Sequence, residues 1–399
     1  MGRFLNTYFV LLMVKRKFSE EHWRGEVMNR IRVMSIFGTR PEAIKMAPLV
    51  KELEERDEVE SIVCVTAQHR EMLDQVLEIF DITPDYDLNI MQERQSITEV
   101  TTRVLTGLAD LFQTVRPDLV LVHGDTTTTF SAALAAFYNK LMVGHVEAGL
   151  RTCNKYEPFP EEMNRLLTSS LADLHFAPTK RAQKNLLSEG IEPHNIFVTG
   201  NTVIDALKYT LSDSYVFDDP SLRRIDFSDR RVITLTAHRR ENLGEPLKEI
   251  CEAVISLVEK HAGVEVVYPV HMNPAVRGTV YEILGSHPRI HLIEPLELQD
   301  MHNLLNRSYL VMTDSGGLQE EVPSMGKPVL VLRNVTERPE GIEAGTLKLA
   351  GTKKEHIVEL AEELLTSEEA YKKMAAAVNP FGDGQASRRI VDVILSVMR

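Results

Sequence analysis

The sequence predicts an α/β protein of two doubly wound domains. Three observations carry that expectation. Short apolar runs rich in Val and Ile recur along the chain, too uniformly apolar to be strands with one wet face. Between them lie segments of helical period, such as Ala43, Ala47, Val50 and Leu53. The alternation pauses once, over residues 211–230, and then restarts. A length of 399 residues suits two or three domains of about 150 residues each.

The first series of strands is expected at 31–37 (IRVMSIF), 61–67 (SIVCVTA), 118–124 (DLVLVHG), 141–148 (LMVGHVEA), 174–179 (LHFAPT) and 195–200 (NIFVTG). The stretch LSDSYVFDDPSLRRIDFSDR is polar, holds a Pro and several Asp, and reads as the joining region, with the junction near 201–230. The second series is expected at 231–238 (RVITLTAH), 264–271 (VEVVYPVH), 289–295 (RIHLIEP), 309–314 (YLVMTD), 328–333 (PVLVLR) and 346–351 (TLKLAG). Buried strands alternating with helices imply parallel sheets covered on both faces. Such sheets bind ligands beyond the carboxyl ends of their strands, so the residues just after each strand are the candidates for function.

Composition excludes several classes. Lys and Arg number 45 against 58 Asp and Glu, a formal net charge of −13. Nucleic acid and anionic membrane are held by clustered cations, so neither is an expected partner. The hydrophobic share of 43% is that of a folded globule rather than a disordered chain. Cys64, Cys153 and Cys251 form no C-x-x-C pair, which argues against a disulfide scaffold or a cysteine zinc site and suits a reducing cytoplasm. Cys64 reads as a small core residue. The run FLNTYFVLLMV is too short to span a bilayer, and Lys15, Arg16 and Lys17 follow it rather than precede it, unlike a secretory signal. Residues 1–30 are read as an extension outside the fold.

No G-x-G-x-x-G, P-loop or H-E-x-x-H occurs, so no nicotinamide fingerprint and no metal site is expected. Other motifs stand at strand ends. In GTRPEAIK (38–45), Thr39 and Glu42 make a capping box, while Arg40 and Lys45 add two cations at a strand-to-helix corner. In HGDTTTTF, Asp125 reads either as a helix N-cap or as an acid. Glu147 ends the run HVEAGLR, and Glu161 and Glu162 open a helix behind Pro160. Three carboxylates at neighbouring strand ends suit proton transfer at carbon. In AHRREN, His238 titrates near neutrality and Arg239 and Arg240 add charge, which suits a diphosphate clamp. His271 ends the next run. DSGGLQEE places Ser315, Gly316 and Gly317 where backbone and hydroxyl can meet phosphate oxygens, or where the Ser merely caps a helix. One turn on, Glu320 or Glu321 can accept from ribose hydroxyls.

GTRPEAIK, QHR, HGDTTTT, HVEAGLRT, PFPEE, TGNTVIDAL, TAHRREN, DSGGLQEE and RPEGIEAGT, in this order from about residue 31, resemble the non-hydrolysing UDP-N-acetylglucosamine 2-epimerases of bacteria. The resemblance implies two Rossmann-like domains facing a cleft, as in GT-B glycosyltransferases. They span 31–202 and a UDP-binding 203–384, with a helix at about 385–399 crossing back. It implies reversible epimerisation at carbon 2 of UDP-N-acetylglucosamine to UDP-N-acetylmannosamine, supplying units for cell-surface polysaccharide. UDP leaves and re-adds through a glycal, without cofactor. By the family pattern, Asp125, Glu147 and Glu161 are the acid–base candidates. His238 and Arg40 would stabilise departing UDP, and Lys45 is a further polar site residue. Ser315, Gly316 and Glu321 would hold diphosphate and ribose.

The same resemblance implies a second UDP-N-acetylglucosamine acting as allosteric activator at Gln68, Arg94, Glu161, Arg239 and His271. It also implies a cytoplasmic homodimer. Close relatives carry Gln where this chain has Glu71, a carboxylate near an anionic diphosphate, so weak activation is expected. A hydrolysing epimerase would share the motifs. A glycosyltransferase of the same fold would need an acceptor surface and no trio of acids. A nucleotide-sugar sensor has no use for Asp125, Glu147 and Glu161 together.

Overall fold

The structure, a computed structural model, describes residues 30–66, 70–92 and 95–399, with the side chains of 70–72 left aside. Residues 1–29, Gln68, Arg94 and the Glu71 side chain therefore lie outside the described residues. The chain forms two compact units. One runs to Thr202 and takes in Ser387–Arg399; the other is Val203–Ala386.

The first unit is built on a parallel sheet of β1 (Ile31–Phe37), β2 (Val59–Val65), β3 (Tyr86–Asp87), β4 (Leu119–His123), β5 (Met142–Val146), β6 (Leu174–Ala177) and β7 (Ile196–Val198). Its order is β3-β2-β1-β4-β5-β6-β7, so the winding reverses between β1 and β4. β1 and β4 pair in register from Val33↔Leu119 to Ile36↔Val122. The strands are apolar on both faces because helices cover both. Met34, Ile36, Val120 and Val122 pack with Val104, Leu108 and Phe112 of the helix Ile97–Val115. A large side chain fully buried in this way contributes about 1.5–3 kcal/mol. The helix Ala386–Met398 completes the unit. Ile390, Val391 and Ile394 are buried, Arg56 Nη2 lies 2.9 Å from Asp392 Oδ1, and Arg389 Nη1 donates to the Thr199 carbonyl at 3.1 Å.

The second unit repeats the plan with β8 (Arg231–Thr236), β9 (Val264–Pro269), β10 (Ile290–Ile293), β11 (Leu310–Thr313), β12 (Val329–Val331) and β13 (Leu347–Leu349). The order β10-β9-β8-β11-β12-β13 reverses between β8 and β11. Each unit is thus Rossmann-like, and the fold class is the one expected from the sequence. Among the described residues, no helix is long and apolar enough to cross a membrane.

Two local features differ from the sequence reading. The strand β3 was not anticipated; two residues beside an Asp-Pro-Asp-rich loop give no periodicity to read. The polar stretch 211–230 is not a free joint. The units part between Thr202 and Val203, and Phe217, Leu222 and Ile225 are buried against Val232, Val267, Ile293 and Leu304 of the second sheet's core. Its polar atoms are satisfied there as well. Buried Asp300 accepts from Tyr215 Oη and from the Asp218 and Asp219 amides, each at 2.9 Å.

Candidate functional site

In the first unit, the loops after β1, β4 and β5 gather the candidate groups. The capping box is present: Thr39 caps the helix Arg40–Glu54 and Glu42 reaches back to the Thr39 amide at 2.8 Å. Glu42 does more than cap. It also takes the Gly38 amide at 3.0 Å, Thr126 Oγ1 at 2.6 Å and Thr129 Oγ1 at 3.1 Å, so it ties the loop after β1 to the loop after β4. Burial raises its pKa despite these donors. Gly38 has no room for a side chain, since a β-carbon there would lie 1.9 Å from Thr66 Oγ1.

Thr126, not Asp125, caps the helix Thr127–Tyr138. The capping alternative for Asp125 is therefore wrong. Its Oδ2 is gripped by Arg165 Nε at 2.9 Å and Nη2 at 2.6 Å. Arg165 also reaches Glu162 Oε2 at 3.1 Å, and Asn164 Nδ2 donates to the Asp125 carbonyl at 2.9 Å. The first turns of the helix Glu161–Leu171 are thereby docked on the end of β4. Glu162, buried, is structural: it accepts the Thr152 and Cys153 amides at 3.0 and 2.9 Å. Its neighbour Glu161 differs, having one carboxylate oxygen buried with no hydrogen-bond partner among the described residues.

Glu147, one residue past β5, has φ of 62°, a left-handed backbone that costs a residue with a β-carbon about 1 kcal/mol or more. Its Oε2 pairs with Lys45 Nζ and accepts Asn201 Nδ2 at 2.7 Å. Its Oε1 stands 3.6 Å from where a β-carbon on Gly124 would lie, beside Asp125. His123 is buried, with Nε2 3.9 Å from Glu147 Oε2 and neither ring nitrogen hydrogen-bonded among the described residues. Burial lowers its pKa to about 4, against the pull of the Glu147 carboxylate. His145 Nε2 binds the Gly124 carbonyl at 2.7 Å, and burial lowers that imidazole to about 3. Arg40 is half-buried on the first turn of its helix.

In the second unit, Asp314 organises the loop after β8. Fully buried, its Oδ2 accepts the His238 and Arg239 amides at 2.8 Å each and Asn242 Nδ2 at 3.0 Å. Its Oδ1 lies 3.5 Å from His238 Nδ1. The His238 ring stacks on His271, with centroids 5.0 Å apart and planes 6° from parallel. Burial lowers the His238 pKa, the Asp314 carboxylate opposes this, and His271 and Arg239 add to the lowering.

The Ser315 hydroxyl makes no capping bond, so the plain capping alternative fails; its amide bonds to Thr313 Oγ1 at 2.9 Å instead. Gly316 faces Arg239 Nη2, and a β-carbon on Gly317 would meet Glu321 Oε1 at 3.2 Å. The two glutamates divide. Glu320 is buried and paired with Arg338, whereas Glu321 is more open and contacts His302 at 3.1 Å.

The sequence missed His123, Arg165, Asn201 and Asp314 as members of these clusters. His123, Asn201 and Asp314 stand inside motifs singled out above, and Arg165 lies three residues after PFPEE. No local signal marks a side chain whose partner lies on another strand.

A model of the UDP-N-acetylglucosamine 2-epimerase family matches residues 51–395. A UDP-N-acetylglucosamine 2-epimerase of Bacillus subtilis strain 168 is 59% identical over 368 residues, covering 92% of this chain and 96% of that protein. One from Escherichia coli K12 is 51% identical over 377 residues, covering 91% of this chain and 98% of its own. The crystal structure of UDP-GlcNAc 2-epimerase from Neisseria meningitidis bound to UDP-GlcNAc is similar with a TM-score of 0.83 at 50% identity, over 92% of this chain and 100% of that one.

Proposed function

The chain belongs to the UDP-N-acetylglucosamine 2-epimerase family, and we propose that it interconverts UDP-N-acetylglucosamine and UDP-N-acetylmannosamine without hydrolysing them. The observation that carries this reading is the group of acids at adjoining strand ends of the first sheet. Asp125 follows β4, Glu147 follows β5, and Glu161 opens the helix docked on Asp125. In the proposed reaction one carboxylate takes the carbon 2 proton while the carbon 1–oxygen bond to UDP breaks, leaving a glycal. UDP then adds back to carbon 1, and a proton is delivered to the opposite face of carbon 2. General acid–base catalysis of this kind is typically worth about 100- to 10,000-fold.

The first unit supplies the proton-transfer groups. The bonds to Glu147 Oε2 from Lys45 and Asn201 fix one oxygen and leave Oε1 toward Gly124 and Asp125. The second unit holds the nucleotide. Ser315, Gly316 and Gly317 meet the diphosphate, Glu321 accepts from the ribose, and His238, with Arg40 of the first unit, stabilises departing UDP. Domain limits of 31–202 and 203–384 with a returning helix from about 385 accompany this reading. A second UDP-N-acetylglucosamine at Glu161, Arg239 and His271, a homodimer, a cytoplasmic location and a role in cell-surface polysaccharide also belong to the proposal. The stacking of His271 on His238 supports the activator reading, because it joins an activator residue to a substrate residue.

The test is epimerisation of UDP-N-acetylglucosamine in heavy water, followed by NMR. The expected product carries deuterium at carbon 2 and remains linked to UDP. Free N-acetylmannosamine as the main product would instead support the hydrolysing alternative.

A further inference from the structure

The helix Leu298–Arg307 buries three polar side chains, Asp300, His302 and Asn303, where a packed core would favour Leu. Two of them have a local reason. Asp300 receives Tyr215 and the amides of Asp218 and Asp219, as described above. Asn303 Nδ2 donates to the Thr210 carbonyl at 2.8 Å, and its Oδ1 accepts the Ser212 amide at 3.2 Å. Both therefore rivet the stretch 210–219 to this helix. His302 is built differently. Its Nδ1 lies 2.7 Å from Thr210 Oγ1, but its Nε2 faces away from that stretch and lies 3.1 Å from Glu321 Oε2.

The protons can be placed. An ionised carboxylate only accepts, so the hydrogen of the Glu321 contact sits on Nε2. A neutral ring then has a bare Nδ1, which the Thr210 hydroxyl fills as donor. In a charged ring Nδ1–H donates to the same oxygen, and the hydroxyl turns to the Ala206 carbonyl at 3.2 Å. One hydroxyl thus serves both charge states, and Nε2 remains a donor in each. Asn303 holds the Thr210 backbone, so the ring is anchored at its far end before it meets Glu321.

Glu321 has reason to need such a strut. Its neighbour Glu320 is locked by Arg338, but among the described residues no lysine or arginine pairs with Glu321. Its Oε1 lies against Gly317, 3.2 Å from where a β-carbon would stand. With Oε2 tied to His302, the carboxylate plane is set and Oε1 is the oxygen left over the glycine pair.

We infer that His302 is a positioning residue for Glu321, and that the Thr210–His302–Glu321 chain makes the site prefer a nucleotide carrying ribose hydroxyls over one without them. This assignment rests on the proposed reading of Glu321 as the ribose acceptor and adds what holds that acceptor in place. An acceptor fixed beforehand loses no rotamer freedom when a hydroxyl arrives, so the hydroxyl contact is worth more.

The experiment is calorimetric titration of the full chain with UDP, 2′,3′-dideoxy-UDP and inorganic pyrophosphate. The parent should bind UDP about tenfold or more tightly than the dideoxy compound. His302→Leu should cut that ratio to about threefold or less by weakening UDP, with pyrophosphate unchanged. The KM for UDP-N-acetylglucosamine should rise with it, the loss falling on KM rather than kcat. His302→Gln fills a similar volume and keeps an N–H donor, so it should restore most of the ratio. Where His302→Leu does not fold, Thr210→Val removes only the hydroxyl and should lower the same ratio. A parent ratio that survives in His302→Leu, or in Thr210→Val where that is the variant used, overturns the assignment and leaves Glu321 as ribose acceptor. Equal losses in His302→Leu and His302→Gln, with pyrophosphate weakened too, overturn it in favour of packing alone. A parent that binds UDP and the dideoxy compound equally overturns the ribose reading of Glu321 itself.

Discussion

Asn201 donates its side-chain amide to Glu147 Oε2 across 2.7 Å, joining the loop after β7 to the residue that follows β5. With Lys45 on the same oxygen, the bond sets which face of the carboxylate is presented. Hydrogen bonds to charged groups are worth about 1.5–3 kcal/mol. Asn201→Leu should therefore lower kcat at least about tenfold while UDP binding, measured by calorimetry, stays as in the parent. An unchanged kcat would remove Asn201 from the machinery.

The acids themselves should respond more strongly. Asp125→Asn, Glu147→Gln and Glu161→Gln are each expected to lose about 100- to 10,000-fold in turnover and still bind UDP. Where elimination outruns the impaired return step, UDP and the glycal should appear in solution, which chromatography detects. Near-normal turnover in all three would sink the residue assignment without touching the fold.

Protonation of the core gives a stability signature. Burial holds His123 at about 4, His145 at about 3 and His175 at about 4, against 6.5 for an ordinary histidine. The unfolded chain binds protons at these sites from about pH 6.5 downward and the folded chain does not. Stability is therefore full above pH 6.5 and falls as the pH drops toward 4 and then 3. Each tenfold difference in proton affinity corresponds to about 1.4 kcal/mol. Denaturant midpoints at pH 7 and pH 5 should differ accordingly, and His123→Asn should flatten the slope. A slope untouched by that change would mean His123 is hydrated or charged in the folded state.

Glycine at position 38 is a steric requirement. Gly38→Ala places a β-carbon 1.9 Å from Thr66 Oγ1, and such overpacking typically costs about 1–3 kcal/mol. Pairing it with Thr66→Ala should recover most of the thermal stability that the single change loses. Equal melting losses for the single and double variants would contradict the contact.

On the proposed reading, in which a second UDP-N-acetylglucosamine binds as activator, a carboxylate at Glu71 would repel its diphosphate, and weak activation is the expected outcome. Glu71→Gln should lower the activator concentration needed and sharpen the sigmoidal rate curve. Identical curves for parent and variant would place Glu71 away from the activator.

Much of this was legible in the sequence because strand, helix and cap signals are local. The Val-rich runs located the strands to within a few residues, and T-x-x-E located the cap at Thr39. Even the division of the EE pair was bounded, since either Glu320 or Glu321 was expected to face ribose. What local patterns do not carry is partnership at a distance. Nothing near residue 320 announces Arg338, nothing near 125 announces that Arg165 will hold it, and the Asp314 side chain reads as a strand end until the amides of His238 and Arg239 arrive. The stretch 211–230 misled for the same reason. Its apolar residues are sparse in sequence and meet their neighbours only in the fold.

The helix at the chain's end belongs to the unit that the chain's beginning builds. Ribosomal synthesis delivers residues in order, and domains generally fold as units as they emerge. The second unit, Val203–Ala386, is complete before Ser387–Arg399 are translated, so the unit begun first is finished last. Until then the surface meant for Ile390, Val391 and Ile394 waits uncovered, and Arg56 waits for Asp392. A premature stop codon in the last dozen codons would therefore release a chain whose later-made unit is whole and whose earlier-made unit is unsealed.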